Sequence, residues 1–147
     1  MIKILGVDYG DARTGLAVTD ALGFMASGAG VIYEKSFKGA LDAVAKTAKE
    51  RRVSLIIVGD PINMDGSAGA RSEKCRAFAA ELEKLTGIPV KTADERLTTV
   101  SALNLLKDQG AHGARRKRAV DELSATLILQ SYLDAHREEL ENFNKQG

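Results

Sequence analysis

Hydrophobic and polar positions in the first part of the chain form short runs that are typical of β-strands. These runs predict strands at about residues 2–8, 15–19 and 28–33. The connections between the strands are short and rich in glycine and polar residues, which favours β-hairpins. We therefore expect the three strands to pair antiparallel in sequence order.

The period of the pattern changes after the third predicted strand. Apolar side chains then recur at helical spacing, interrupted by two further strand-like segments. The predicted helices lie at about 38–52, 70–86, 98–109 and 119–135, and the predicted strands at 55–58 and 89–93. The run over 55–58 is apolar at every position, which is typical of a strand buried on both faces inside a parallel sheet. The polar segment from His136 onward is expected to fray.

This order of elements predicts an α/β fold with a five-stranded mixed sheet flanked by helices. Right-handed crossovers place the fourth and fifth strands beside the first, which gives the order 3-2-1-4-5. Strands 1, 4 and 5 then run parallel, so their carboxyl ends meet at one edge, where open α/β sheets bind their ligands. We expect one domain over residues 1–138 and a polar tail over 139–147.

Composition narrows the class of protein. The 147 residues are 44% hydrophobic and 28% charged, as expected of a soluble globular protein. No apolar run reaches the length of about 18 residues that a membrane span needs, and the N-terminus lacks the pattern of a secretory signal. The single cysteine, Cys75, lies on the apolar stripe of a predicted helix, so we interpret it as a packing residue. We expect a cytoplasmic protein that does not bind membranes.

Acidic residues stand at the predicted carboxyl edge. Asp8 ends the first strand, Glu95 follows the fifth, and Asp121 lies where the last helix is predicted to begin. Their structural alternatives are a turn residue, an ion pair with Arg96 and a helix cap, respectively. Converging carboxylates repel each other unless a cation lies among them. Because oxygen ligands favour Mg²⁺ or Mn²⁺, ions that promote phosphodiester cleavage, we interpret Asp8 as a metal ligand.

Glycines and cations near the same edge favour a phosphate-binding surface. Glycines at position 10 and in the segment 59–69 would let backbone N–H groups approach an anion. Four consecutive cations at 115–118 either bind phosphates by releasing counterions or form a solvated loop. The candidate nucleic-acid contacts are Arg13, Asn63, Arg71, Arg96, Arg115, Arg116, Lys117 and Arg118.

Four segments resemble the YqgF (RuvX) family of Holliday-junction-resolvase-like nucleases. In chain order they are GVDYGDARTGLAVTD, VGDPINMDGSAG, ADERLTTVSA and VDELSATLILQSYLD. The resemblance implies an RNase H-like fold and a cytoplasmic, Mg²⁺- or Mn²⁺-dependent nuclease for the 5′ end of the 16S rRNA precursor, with precursor particles of the ribosome as a further partner. Resolution of branched DNA is the alternative. The family's catalytic, metal-binding acidic set falls on Asp8, Glu95 and Asp121.

One residue departs from the family pattern. Asp60 stands between a glycine and a proline, where the family commonly has an apolar residue. Its carboxylate either adds to the metal site or caps the turn before Pro61, and we favour the cap. The sequence also leaves open whether Asp94 joins the site.

Two other functions compete with a nuclease. A non-catalytic nucleic-acid-binding factor in ribosome maturation would use the same cations, with structural roles for the acidic residues. An actin-like or sugar-kinase-like ATPase shares the Asp-x-Gly hairpin but needs two lobes, and 147 residues supply one. The choice between RNA and DNA, the mode of cleavage and the oligomeric state stay open.

Overall fold

Five strands and the helices around them are described in a computed structural model that covers residues 2–20, 22–95 and 114–146. The helix predicted at 98–109 lies outside the described residues. The elements in chain order are β1 (Ile4–Asp8), β2 (Thr14–Thr19), β3 (Ala26–Ile32), α1 (Phe37–Glu50), β4 (Leu55–Asp60), α2 (Ala70–Thr86), β5 (Val90–Asp94), α3 (Ala114–Ala135) and α4 (Arg137–Gln146).

The strands form one mixed sheet in the order β3-β2-β1-β4-β5. β2 pairs antiparallel with both β1 and β3, whereas β4 pairs parallel with both β1 and β5. The predicted α/β class and strand order are thereby confirmed. Because β3 runs in the same direction as β1, four strands end at one edge. We call it the carboxyl edge, and the last residues of these strands are Asp8, Ile32, Asp60 and Asp94.

Helices cover both faces of the sheet. On one face, α1 and α2 pack on a core that includes Val7, Val58 and Phe78. On the other face, α3 packs on a core that includes Ile57 and Leu129. Side chains alternate between the faces along each strand, so the face that any strand residue occupies follows from its neighbours. We refer to the second surface as the α3 face.

The ends of two helices are set by local capping interactions. The side chain of Ser36 accepts a hydrogen bond of 2.9 Å from the N–H of Gly39 and caps α1. α2 ends before Gly87, whose left-handed backbone (φ 71°) is the usual end of a helix. The described helices include none with the length and apolar character needed to cross a membrane.

Two expectations about the last helices are wrong. α3 begins at Ala114, five residues earlier than predicted, because arginine and lysine are good helix formers and the basic run continues the helix. Asp121 therefore lies two turns inside α3 and does not cap it. The segment expected to fray forms α4, whose Leu140 packs against the core of the α3 face.

Candidate active site

Asp8 ends β1 and projects from the α3 face. Two residues earlier, a Cβ on Gly6 would lie 2.8 Å from the Cβ of Leu129 in α3, so even-numbered β1 residues face this helix. Asp8 is half-buried and pairs with Gly15 of β2. A Cβ on Gly15 would overlap the carbonyl oxygen of Asp121. The glycine therefore lets the backbone of α3 approach the sheet beside Asp8.

Glu95 reaches the same place from β5. Val7 pairs with Val58, so Gly59 lies beside Asp8 on the neighbouring strand. A Cβ on Gly59 would lie 2.5 Å from Oε1 of Glu95, which places this carboxylate over Gly59 on the α3 face. Glu95 is 5% exposed. The missing side chain of Gly59 thus provides the space that the Glu95 carboxylate occupies.

Asp121 completes the group from α3. It is 3% exposed, and its Oδ2 accepts a hydrogen bond of 2.7 Å from Nε of Arg13. The structure therefore brings Asp8, Glu95 and Asp121 to one end of the α3 face, and we call these three residues the acidic site. The ion pair also places one of the predicted nucleic-acid contacts, Arg13, directly beside this site.

Asp60 and Asp94 lie on the opposite face. They are register partners at the ends of β4 and β5, and Asp60 is one residue beyond Gly59. Asp60 is 2% exposed, accepts a hydrogen bond from the hydroxyl of Ser72, and accepts another of 2.7 Å from Nε of Arg76. The expectation that Asp60 caps the turn is wrong, because its carboxylate joins β4 to α2. The sheet separates Asp60 and Asp94 from the acidic site.

This placement predicts that Asp60→Asn lowers stability but leaves cleavage intact. The amide still bonds to Ser72, but it lacks the charge that pairs with Arg76, so we expect a loss of about 1–3 kcal/mol in the free energy of unfolding. Urea unfolding and a cleavage assay on the same preparation measure the two effects. Loss of cleavage at unchanged stability would return Asp60 to the site.

Side chains of α2 hold the β1–β2 loop in place. Nη2 of Arg71 donates a hydrogen bond of 3.1 Å to the carbonyl oxygen of Tyr9, and Nζ of Lys74 lies 2.5 Å from Oδ1 of Asp11. The ring of Tyr9 stacks on Phe78 with 4.3 Å between ring centroids. These contacts position the loop that carries Asp8 at one end and Arg13 at the other. The sequence did not indicate this role for Tyr9. The only signal that could have suggested it is the position of Tyr9 next to Asp8.

The other predicted contacts are placed as follows. Asn63 lies in an exposed turn, where its Nδ2 donates a hydrogen bond of 3.1 Å to Oγ of Ser67. Arg118 is exposed, and its Nε donates a hydrogen bond of 3.2 Å to the hydroxyl of Tyr33. Arg96 and the side chains of residues 115–117 lie outside the described residues. The basic run itself occupies the first turns of α3 and is not a loop, and its binding of phosphates stays a prediction.

Cys75 is a packing residue, as predicted. It is 2% exposed in the core beneath α2. Burial raises the pKa of its thiol to about 12, so the thiol stays protonated at neutral pH. Burial in the core therefore supports a packing role for this residue.

The oxygen donors of the acidic site suit a hard divalent cation such as Mg²⁺ or Mn²⁺. Among the residues that the structure describes, no three acidic, histidine or cysteine side chains already stand in a ligand arrangement. Nε of Arg13 lies 2.7 Å from Oδ2 of Asp121, so a guanidinium already holds one of the donor oxygens. The oxygen donors thus fit a divalent metal ion, and Arg13 compensates part of the negative charge of the site.

A five-stranded mixed sheet in this order, with helices on both faces, has the architecture of the RNase H-like fold. The structure is similar to Thermus thermophilus RuvC in complex with a Holliday junction, with a TM-score of 0.56, 13% identity, and coverage of 92% of this chain and 96% of that chain. It is also similar to the fowlpox virus Holliday junction resolvase, with a TM-score of 0.53, 12% identity, and coverage of 91% and 99%. These similarities establish the fold.

The sequence identifies the family. A family model described as "RuvX: Holliday junction resolvase" matches residues 2–135. A Clostridium novyi protein named "Putative pre-16S rRNA nuclease" is 43% identical over 134 residues, which cover 91% of this chain and 99% of that protein. A Carboxydothermus hydrogenoformans protein of the same name is 44% identical over 133 residues, which cover 90% of this chain and 96% of that protein. The chain belongs to the RuvX family, and this membership supports a nuclease function.

Proposed function

We propose that this protein is a divalent-metal-dependent nuclease that processes the 5′ end of the 16S rRNA precursor in the cytoplasm. The observation that carries the proposal is that Asp8, Glu95 and Asp121 converge on one end of the α3 face. Two glycines of the sheet leave the space that this convergence needs. The names of the relatives favour the rRNA precursor over other phosphodiesters.

The three carboxylates of the acidic site would hold Mg²⁺ or Mn²⁺. A cation bound there would supply activation of water and stabilisation of the leaving oxygen in phosphodiester cleavage. Arg13 neutralises Asp121 and orients its carboxylate, as partners of metal ligands commonly do. Its side chain is 32% exposed, so the guanidinium also lies within reach of a substrate phosphate.

Cations at the carboxyl edge would bind the substrate backbone. Arg71 and Lys74 lie at the start of α2 beside the β1–β2 loop, and residues 115–118 open α3. Phosphate contacts of this kind position a strand without reading its sequence. The same surface would serve if the precursor is presented within a ribosomal particle.

The decisive experiment offers the purified chain three substrates: a precursor rRNA 5′ end, a four-way DNA junction and a single strand. Each is incubated with Mg²⁺, with Mn²⁺ or with EDTA, and Asp8→Asn from the same purification serves as the control for contaminating nucleases. Metal-dependent cleavage of the rRNA precursor supports the proposal. Cleavage of the junction alone would favour a resolvase, the function that the family's description names. Binding without cleavage would favour a non-catalytic maturation factor.

A further inference from the structure

An exposed tyrosine stands at the carboxyl edge next to a cation. Tyr33 follows directly after β3 and is 52% exposed. Nε of Arg118 donates a hydrogen bond of 3.2 Å to its hydroxyl, and the guanidinium carbon lies 5.7 Å from the centre of the ring. Arg118 belongs to the basic run that opens α3, so the ring lies beside the predicted phosphate contacts.

The strand register places Tyr33 close to the acidic site. Asp8 pairs with Gly15, and Gly15 pairs with Val31, so these residues share the α3 face. Tyr33 lies two residues beyond Val31 and projects from the same face, as its contact with Arg118 of α3 requires. Strand spacings of about 4.8 Å and a rise of about 3.3 Å per residue put the Cα atoms of Tyr33 and Asp8 about 12 Å apart.

A single helix, α3, contacts both Tyr33 and the acidic site. Arg118 contacts Tyr33, and one turn later Asp121 contacts Arg13. Arg13 and Tyr33 each lie one residue beyond the register pair of Thr14 with Ile32, at the same edge of the sheet. The Tyr33 ring therefore lies within reach of a strand of nucleic acid bound at the acidic site.

We propose that Tyr33 and Arg118 form a stacking platform for an unpaired nucleobase of the substrate, close to the phosphate that is cleaved. An exposed aromatic ring stacks on any base, because every base has a π-face. Single-stranded RNA commonly binds in this way, through unstacked bases and aromatic or arginine side chains. The platform rests on the proposed nuclease function for its substrate, and it adds a base contact that the phosphate contacts do not supply.

Tyrosine fluorescence reports on the platform directly. The chain contains three tyrosines and no tryptophan. Tyr9 is 4% exposed and Tyr132 is 6% exposed, so Tyr33 is the tyrosine that a base reaches. We expect a single-stranded RNA oligonucleotide to quench the tyrosine emission of the wild-type chain in EDTA, where no cleavage occurs. The same emission from Tyr33→Phe should not respond to the oligonucleotide.

Affinity, measured by the anisotropy of a labelled oligonucleotide, tests the energetic role. Tyr33→Ala should weaken binding by roughly tenfold, since a stacked base commonly contributes this much or more. Tyr33→Phe should bind nearly as the wild type does, because the ring is kept. Phe24→Ala is the matched control: Phe24 is 43% exposed and has its own arginine, Arg137, 5.6 Å away, but it lies at the opposite edge of the sheet. It should bind as the wild type does.

The outcomes separate the platform from the nuclease function. Wild-type affinity in Tyr33→Ala, or an equal loss in Phe24→Ala, would overturn the platform even if the chain cleaves precursor rRNA. A tenfold loss confined to Tyr33→Ala supports the platform even if the chain cleaves nothing, because binding is measured without metal. If the wild-type chain binds no single strand, the platform is wrong as well.

Discussion

Asp8→Asn is expected to reduce the cleavage rate by more than about 100-fold. Changing a residue that only supports a metal ligand commonly lowers activity by about 10–100-fold, and loss of a ligand itself should lower it further. The amide keeps the shape of the side chain but removes the charge that holds a divalent cation. The chain should stay folded, and without metal its stability should be equal or higher, because one of three converging carboxylates is neutralised. Cleavage rate and thermal unfolding midpoint are the two measurements.

Mn²⁺ provides a readout that does not depend on cleavage. A cation that binds only the folded chain raises the unfolding midpoint, and the rise grows with its concentration above the dissociation constant. We expect this rise in the wild type and in Asp60→Asn, whose carboxylate lies across the sheet, but not in Asp8→Asn. A variant of Asp8 that unfolds, cleaves at the wild-type rate or keeps the full Mn²⁺ response would refute the assignment.

Glu95→Gln and Asp121→Asn are each expected to lose cleavage, and the double variant should lose little more than either one. Residues that act as one catalytic unit are strongly non-additive, because removing one member already disables the others. Both variants should still bind nucleic acid, since each removes a negative charge near the substrate backbone. Single-turnover cleavage and oligonucleotide binding, measured for the two single variants and the double variant, test this expectation.

Arg13 supplies the control for Asp121. If Asp121 serves only as the partner of Arg13, then Arg13→Gln and Asp121→Asn should alter the protein in the same way. If Asp121 is a metal ligand, Arg13→Gln should retain the Mn²⁺-induced rise in unfolding midpoint while Asp121→Asn loses it. Full cleavage by either Glu95→Gln or Asp121→Asn, on a substrate that the wild type cuts, would remove that residue from the acidic site.

Much of the fold follows from local patterns in the sequence. The turn-rich connections predict the hairpins of β1, β2 and β3, and the continuous apolar run predicts β4 in the interior of the sheet. The preferred handedness of crossovers then sets the strand order. With that order, the ends of β1 and β5 lie at one edge, which is why Asp8 and Glu95 could be expected to meet.

The same local patterns misplaced Asp60 and the start of α3. Every position over 55–58 is apolar, so the run shows no alternation from which the face of Asp60 could be read. Its partners Ser72 and Arg76 lie 12 and 16 residues further along the chain and reach it only when α2 docks. For α3, the basic residues are equally compatible with a loop, so the pattern of apolar positions alone did not show where the helix begins.

The sequence by itself determined the strand order and placed Asp8 and Glu95 at the carboxyl edge, because turn-rich connections and right-handed crossovers leave few ways to arrange the strands. Only the tertiary structure decided that Arg13 bonds to Asp121 and that Arg118 bonds to Tyr33, across 108 and 85 residues of the chain. These contacts depend on where α3 lies against the sheet. That position is set by packing, at points such as Gly15 where only a glycine leaves room for the helix backbone.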